Sequence, residues 1–269
     1  MTRITFIVRA RTVALALPVV LATLALAVAA CGGSSAPALT DPAEILQKGA
    51  ASLGQLKTVH LRGTVDGEIA IDAGGIGGGA PMPLGGTTIE GDVDVAREAL
   101  AVEILAPSLL NQRLNLVVVD GSAYVKAPIL TGQRWVRTPA GQGIGGNPAA
   151  ILEGLAAFLG RPELQPQKLA DTRCSGADCY AVQFAVPAAE VRAALGPLGT
   201  SIPGLSSAVG DVTVTAGIRK GDLRLGSLGL EIPAGGSAPL TISLELGRYD
   251  EPVMISAPPA DQVDATPGG

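Results

Sequence analysis

The sequence predicts an α+β fold: one antiparallel β-sheet of about ten strands, curled around its apolar face, with three or four helices available to cover the concavity. Three observations carry this. Apolar side chains in most segments after residue 58 recur with period two, which marks strands with one apolar and one wet face. Only a few segments carry the 3.6-residue period and the capping residues of a helix. No repeat and no long linker divides the roughly 220 residues that follow the N-terminal region, so strands and helices belong to one domain.

The chain opens on an address. Arg3, Arg9 and Arg11 precede an uncharged run from Thr12 to Ala30, the layout of a secretory signal over residues 1–30. At its end stand Val28, Ala29, Ala30 and Cys31. Small residues before a Cys form a lipobox, in which Cys31 receives a diacylglycerol and becomes the new N-terminus. A plain signal peptide or an uncleaved anchor are the alternatives. Two or three acyl chains on Cys31 would hold the protein at the membrane stably, because one chain alone binds only marginally. Removal of residues 1–30 takes away three Arg and no acid, moving the formal charge from -5 to -8. No later run is long and apolar enough to span a bilayer.

Residues 31–40 read as the lipidated Cys and a Gly/Ser/Pro linker, and residues 41–260 as the domain. Asp41, Pro42 and Glu44 give an N-cap, a first-turn Pro and a capping-box carboxylate. The helix that follows places Ile45, Leu46, Gly49, Ala50, Leu53 and Leu56 on one stripe. From Val59 the period becomes two. VHLRGTVDGEIAID points Val59, Leu61, Gly63 and Val65 one way, and TTIEGDVDV does the same with Ile89 and Val93. Between them the Gly-rich 74–86 loop reads as a hairpin tip or as a flap beside a ligand entrance. Leu100, Val102 and Ile104 alternate next, followed by Leu114, Leu116 and Val118, the hairpin signal Asp120-Gly121, SAYVKA, and a strand around Trp135.

Asn147 and Pro148 start a second helix with Ile151, Leu152, Leu155, Phe158 and Leu159, and a third runs from Pro187 to Leu195 with Val191 and Leu195 inward. Between these helices, two alternating segments flank SGAD, so Cys174 and Cys179 should face each other across a hairpin and form a disulfide in an exported, oxidising setting. Two Cys without a nearby His do not complete a zinc site, and four intervening residues are not redox spacing. DVTVTAGIRK, DLRLGSLGLEIP, PLTISLELGRYD and EPVMISAPP read as strands, and residues 261–269 as a disordered tail.

Composition narrows the function. With 19 basic residues scattered among 24 acidic ones, nothing suits nucleic acid. At 47% hydrophobic and 16% charged the chain is not intrinsically disordered. Its one His, His60, lies between inward residues and so points outward as a surface imidazole. No G-x-S-x-G, H-E-x-x-H or P-loop pattern is present, and Asp92 and Asp94 read as the solvent face of a strand, so an enzyme, a metal site and a cofactor are not expected. Seven aromatics in 269 residues leave Ala, Val, Leu, Ile and Gly to fill the interior. Small side chains on a strongly curved sheet can leave a lipid-sized pocket.

A lipobox Cys, a short linker, an amphipathic helix leading into LKTVHLRGTVDGEI, the hairpin VVVDGSAYVKA followed by QRWVR, the helix NPAAILEGLAAFL and the ending LELGRYDEPVMISAPPAD together resemble the LppX/LprAFG family of cell-envelope lipoproteins. The resemblance implies a half-barrel similar to the LolA/LolB carriers, with helices on the concave side. It also implies a cavity for the acyl chains of lipids or glycolipids that are carried or presented across the envelope, and an envelope lipid exporter as a possible partner. The expected place is the extracytoplasmic face of the cell membrane, held by the acyl anchor. The expected cavity lining is Val59, Leu61, Val65, Ile89, Val93, Leu100, Val102, Ile104, Leu114, Leu116 and Val118 from the sheet, with Leu155, Phe158, Val191 and Leu195 from helices. The alternative is a tethered structural or interaction module with a closed core. Cavity volume separates the two: a void of several hundred Å3 lined by Leu, Ile and Val goes with carriage.

Overall fold

The computed structural model describes residues 38–69, 82–139, 147–191, 210–233 and 238–264. Cys31, the signal and most of the linker, residues 74–81 of the Gly-rich loop, Leu195 and residues 265–269 lie outside the described residues. Residues 40–269 form one compact unit.

The first helix, α1 (Pro42–Leu53), buries Ile45, Leu46, Gly49, Ala50 and Leu53, the stripe the 3.6-residue period marked. The Asp41 carboxylate accepts from the Ala43 N–H at 2.9 Å, while Glu44 pairs with Lys48 at 3.3 Å instead of closing a capping box. Strands β1 (Thr58–Asp66), β2 (Glu68–Ile69), β3 (Met82–Pro83), β4 (Thr87–Asp94), β5 (Ala99–Ala106), β6 (Gln112–Val119) and β7 (Ser122–Lys126) follow, then α2 (Pro128–Thr131) and β8 (Trp135–Pro139). Helix α3 (Pro148–Leu159) is capped by the Asn147 side chain, which accepts from Ala149 and Ala150. Next come β9 (Gln167–Lys168), β10 (Thr172–Cys174), β11 (Ala177–Val186), a helical turn at 188–191, β12 (Val212–Arg219), β13 (Leu225–Ile232), β14 (Leu240–Gly247) and β15 (Val263–Asp264).

Thirteen of these strands form one curved, unclosed sheet in the order β10-β11-β12-β13-β14-β1-β4-β5-β6-β7-β8-β15, with β9 beside β10 on the edge of β11; β2 and β3 pair separately. That exceeds the ten expected because β9, β10 and β15 are short edge pieces. The order follows from one crossover. The meander β4 to β8 grows from one side of β1, and the chain then returns past α3 to lay β11 to β14 against the other side. Hairpin turns at Asp120-Gly121 and Ser175-Gly176 both take positive φ at their two central residues, the twist-matched type that two-residue hairpins prefer.

Directly opposed residues share a face, so the register carries one face across the sheet. Val214, Leu230, Ile242, Val65, Thr87 and Ala106 lie on it, as do Ile218, Leu246, Leu61, Gly91, Val102 and Leu116. Helix α1 covers this face over β11 to β13, and α3 packs on α1. At Gly91 a Cβ would come within 2.5 Å of the Ala101 carbonyl oxygen, the close approach that a tight inward bend requires.

The opposite face is less wet than alternation alone predicts. EPVMISAPP, expected as a strand, pairs with none among the described residues. It runs across the outer face as a strap, burying Ile255 and half-burying Val253 against Ala99, Ala101, Val117, Val119 and Tyr124. Three prolines deprive it of ladder donors. The strap is latched where the Lys57 N–H donates to Asp250 at 2.9 Å and the Thr58 hydroxyl donates to the Glu251 carbonyl at 2.6 Å. Beyond it, residues 261–264 are not a disordered tail: β15 pairs in parallel with Trp135 and Val136 of β8.

The Asp250 carboxyl is held below its usual value, first by the Lys57 N–H and then, against some burial, by the Arg224 guanidinium at 2.7 Å. A depressed folded-state value means that the latch stabilises the fold above about pH 4 and loses that contribution as pH falls through the folded value. Asp250→Asn is therefore expected to flatten the acid limb of stability against pH, read as urea midpoints at pH 3 and pH 7; an unchanged acid limb would contradict the latch.

Cys174 and Cys179 form the expected disulfide, but diagonally: Cys174 stands opposite Ala177 and Cys179 opposite Thr172. Both are buried on the outer face, where Gly217 and Gly226 leave room for the sulfurs. Replacing both by Ser is expected to lower stability by only about 2 kcal/mol, because so short a loop loses little closure entropy. Denaturant titration measures it, and a loss of cooperative folding would show that the bond does more than pin the hairpin.

Candidate functional site

On the helix-covered face, the end of β11, the start of β12 and the end of β13 carry Val186, Val212, Val214, Leu230 and Ile232. Alternation puts all five on that face, and their branched side chains suit a pleated surface. Opposite them, Phe158 comes from the C-terminal end of α3, Arg161 from just beyond its Gly160 cap, and Glu190 and Val191 from the helical turn at 188–191. Together these nine residues line a cavity of about 500 Å3. Two anchors hold the helical wall. The Phe158 ring packs on Phe184 with centroids 6.1 Å apart, and the Ala188 N–H donates to the Asp211 carboxylate at 2.8 Å. Among the described residues the wall is apolar except for one ion pair, Arg161 to Glu190 at 2.7 Å, with the guanidinium also 5.0 Å from the Phe158 ring centroid. The described lining residues can shield an apolar body from water.

The eleven sheet residues expected to line a cavity share one face, the face of this cavity. They sit on β1, β4, β5 and β6, however, and none lines the 500 Å3 void. Val59, Val65, Val93, Leu116 and Val118 are buried, whereas Leu61, Ile89, Leu100, Val102, Ile104 and Leu114 remain half-buried. The void adjoins their surface through Ile232, which packs against Val65 and Leu240 beside Ile89 and Ile242. Of the helical candidates, Phe158 and Val191 line the cavity and Leu155 does not. Ile151 of the same helix is 56% exposed, since α3 rests on α1 and turns that side outward. The walls from β12 and β13 were missed, although VTV and LGLEI show the same alternation.

His60 points outward but is not a surface imidazole. It is only 8% exposed, with Nδ1 2.8 Å from the Asp92 carboxylate and Nε2 3.4 Å from Glu90. Asp94 is buried too, where it accepts from the Arg97 N–H and closes the β4–β5 turn. A recess of mixed polarity, about 760 Å3, lies between the strap and β7–β8, lined by Ser122, Arg137 and Asp264 among others. Among the described residues, no His, Cys, Asp and Glu group is placed to hold a metal ion, and no helix is long and apolar enough to cross a membrane.

No protein-family profile and no curated protein matches the chain. Solved structures do. The fold is similar to that of LprF from Mycobacterium bovis, at 19% identity over 84% of this chain and 99% of that one, with a TM-score of 0.55. It is also similar to the lipoprotein LppX of Mycobacterium tuberculosis, at 18% identity over 81% of this chain and all of that one, with a TM-score of 0.51. The likeness is one of fold: an open, curved sheet with helices on one face, as the sequence resemblance implied.

Proposed function

We propose that this protein is a membrane-tethered lipoprotein that binds acyl chains in an apolar cavity and carries or presents lipids, glycolipids among them, across the cell envelope. The observation that carries the reading is the 500 Å3 void walled by Val, Leu, Ile and Phe side chains. If a methylene takes about the volume of a water, roughly 30 Å3, the void accepts on the order of sixteen of them, about one long acyl chain. The half-buried Leu, Ile and Val surface of β1 to β6 offers further apolar contact beside it. Extraction of a lipid sacrifices its bilayer contacts, and burial offsets this at roughly 25 cal/mol per Å2 of apolar surface kept from water.

The tether is the acylated Cys31, which places the domain on the extracytoplasmic face of the cell membrane, where an envelope lipid exporter could hand over its substrate. The shared fold with LppX, named a lipoprotein, supports this reading. Native mass spectrometry of the full chain purified from its own membranes is the test. A co-purifying lipid mass is the expected result. Absence of any bound lipid, together with no uptake of a fluorescent fatty acid, would leave the closed-module alternative standing.

A further inference from the structure

The outer face of the sheet carries a recess of its own, on the side away from the acyl-chain cavity. It is a trough of about 400 Å3 that crosses the strands from His60 on β1 to Trp135 on β8. The register explains its shape. Opposed residues set His60, Asp92, Ala101 and Val117 in one row across the strands, and Glu90, Glu103 and Asn115 in the next. Ala101 keeps the middle of the first row low, and Trp135, half-buried on the same outer face, closes the far end. From β1 to β8 the strand order makes five steps, which at about 4.8 Å each put the ends on the order of 20 Å apart.

The polar groups of the trough fall into two kinds. Its carboxylates are matched: Arg62 stands 3.3 Å from Glu90, Arg113 3.1 Å from Glu103 and Arg248 3.8 Å from Asp92, while Lys126 ends the second row beyond the lining. A small cation finds no unmatched carboxylate there, and an anion meets three of them. Three uncharged groups are unspent. Among the described residues the Asn115 amide and the Trp135 indole N–H have no hydrogen-bond partner. Nor has His60 Nε2, although the side chain is more than nine-tenths buried and Nε2 lies 3.4 Å from Glu90. A buried ring nitrogen without a partner is uncommon in a folded protein, and this one belongs to the trough wall.

We infer that the trough is a binding site for a neutral glycan, a run of linked sugar rings lying across β4 to β6 with one ring stacked on Trp135. A hydroxyl both donates and accepts, so sugar hydroxyls satisfy the amide, the indole N–H and Nε2 together, and they donate to the lone pairs that the paired carboxylates keep. The indole offers a flat apolar face to the C–H side of a sugar ring and a polar N–H at its edge. The site stands independently of the carrier reading, because the cavity lies on the other face of the sheet. It would give the domain a hold on polysaccharide outside the membrane while the cavity handles lipid.

Trp135 is the only tryptophan of the chain, so its own emission reports the site. The test titrates the full chain, purified from its own membranes in a detergent without a sugar head group, with short manno-, gluco-, galacto- and arabino-oligosaccharides. At least one of these neutral series is expected to shift the emission saturably, while oligogalacturonate and chitosan oligomers leave it unchanged. Asn115→Ala, which removes no hydrogen bond within the fold, should weaken that binding about tenfold by the same readout. Calorimetry should show no binding to Trp135→Ala. Failure of every neutral series to move the emission, equal binding of a charged series, or full affinity in Asn115→Ala overturns the inference. Fatty-acid uptake by the same proteins, expected unchanged in Asn115→Ala, shows that the domain is intact. Uptake without glycan binding removes the trough and leaves the carrier, whereas glycan binding without uptake removes the carrier and leaves the trough.

Discussion

Ile218→Ala is expected to lower the unfolding free energy by about 3–5 kcal/mol, the upper range for a large-to-small change in a core that collapses poorly. Ile218 is fully buried and lies against α1 where that helix has Gly49; a Cβ placed on Gly49 would come within 2.3 Å of Ile218 Cδ1. The helix therefore seats on the sheet through one side chain entering the gap left by one glycine. Gly49→Ala alone is expected to destabilise as well, because the added methyl meets that side chain. In the Ile218→Ala background the same methyl points into the vacated space. The double variant should then be more stable than the two single effects added together predict, by about 1 kcal/mol or more. Denaturant titration of the four proteins supplies the cycle. Strict additivity would mean that α1 seats elsewhere.

That contact illustrates what a sequence discloses. The apolar stripe of α1 and the inward phase of β1, β4, β5 and β6 follow from periods of 3.6 and 2, and turns such as Asp120-Gly121 fix the phase of each strand, so all eleven sheet residues fell on one face. Local rules do not reveal which strands lie beneath the helices. That depends on the crossover past α3, which pairs β14 with β1 and brings β11 to β13 under α1. The cavity walls Val212, Val214, Leu230 and Ile232 were thus as apolar and as alternating as the residues chosen, and only topology distinguishes them. His60 failed for a similar reason. Alternation gives direction and not cover, and its cover comes from Asp92 and Glu90 on β4, with Arg248 reaching Asp92 at 3.8 Å from the end of β14. EPVMISAPP has strand-like residues but no ladder to join, because its prolines cannot donate and the outer faces of β5 and β6 present Ala99, Ala101, Val117 and Val119 as a surface to lie on.

The void itself yields the second large effect. Leu230→Trp, made at a half-buried position of the cavity wall, adds an indole to space that already exists, so it is expected to change stability by less than about 1.5 kcal/mol. Its effect on ligand is the opposite in size. If the ring displaces about three methylenes of a bound chain, the lost burial is about 2.4 kcal/mol, from about 0.8 kcal/mol per CH2. At about 1.4 kcal/mol per factor of ten, fatty-acid affinity should fall roughly fiftyfold. Val102→Trp is the comparison, because Val102 lies on the same face but outside the void, and it should leave the affinity within a few-fold. Fluorescent fatty-acid titration with denaturant curves on both variants decides the matter. Equal losses would place the acyl chain along β5 and β6 as well, and no loss in Leu230→Trp would mean that the void between α3 and the sheet is not where the chain binds.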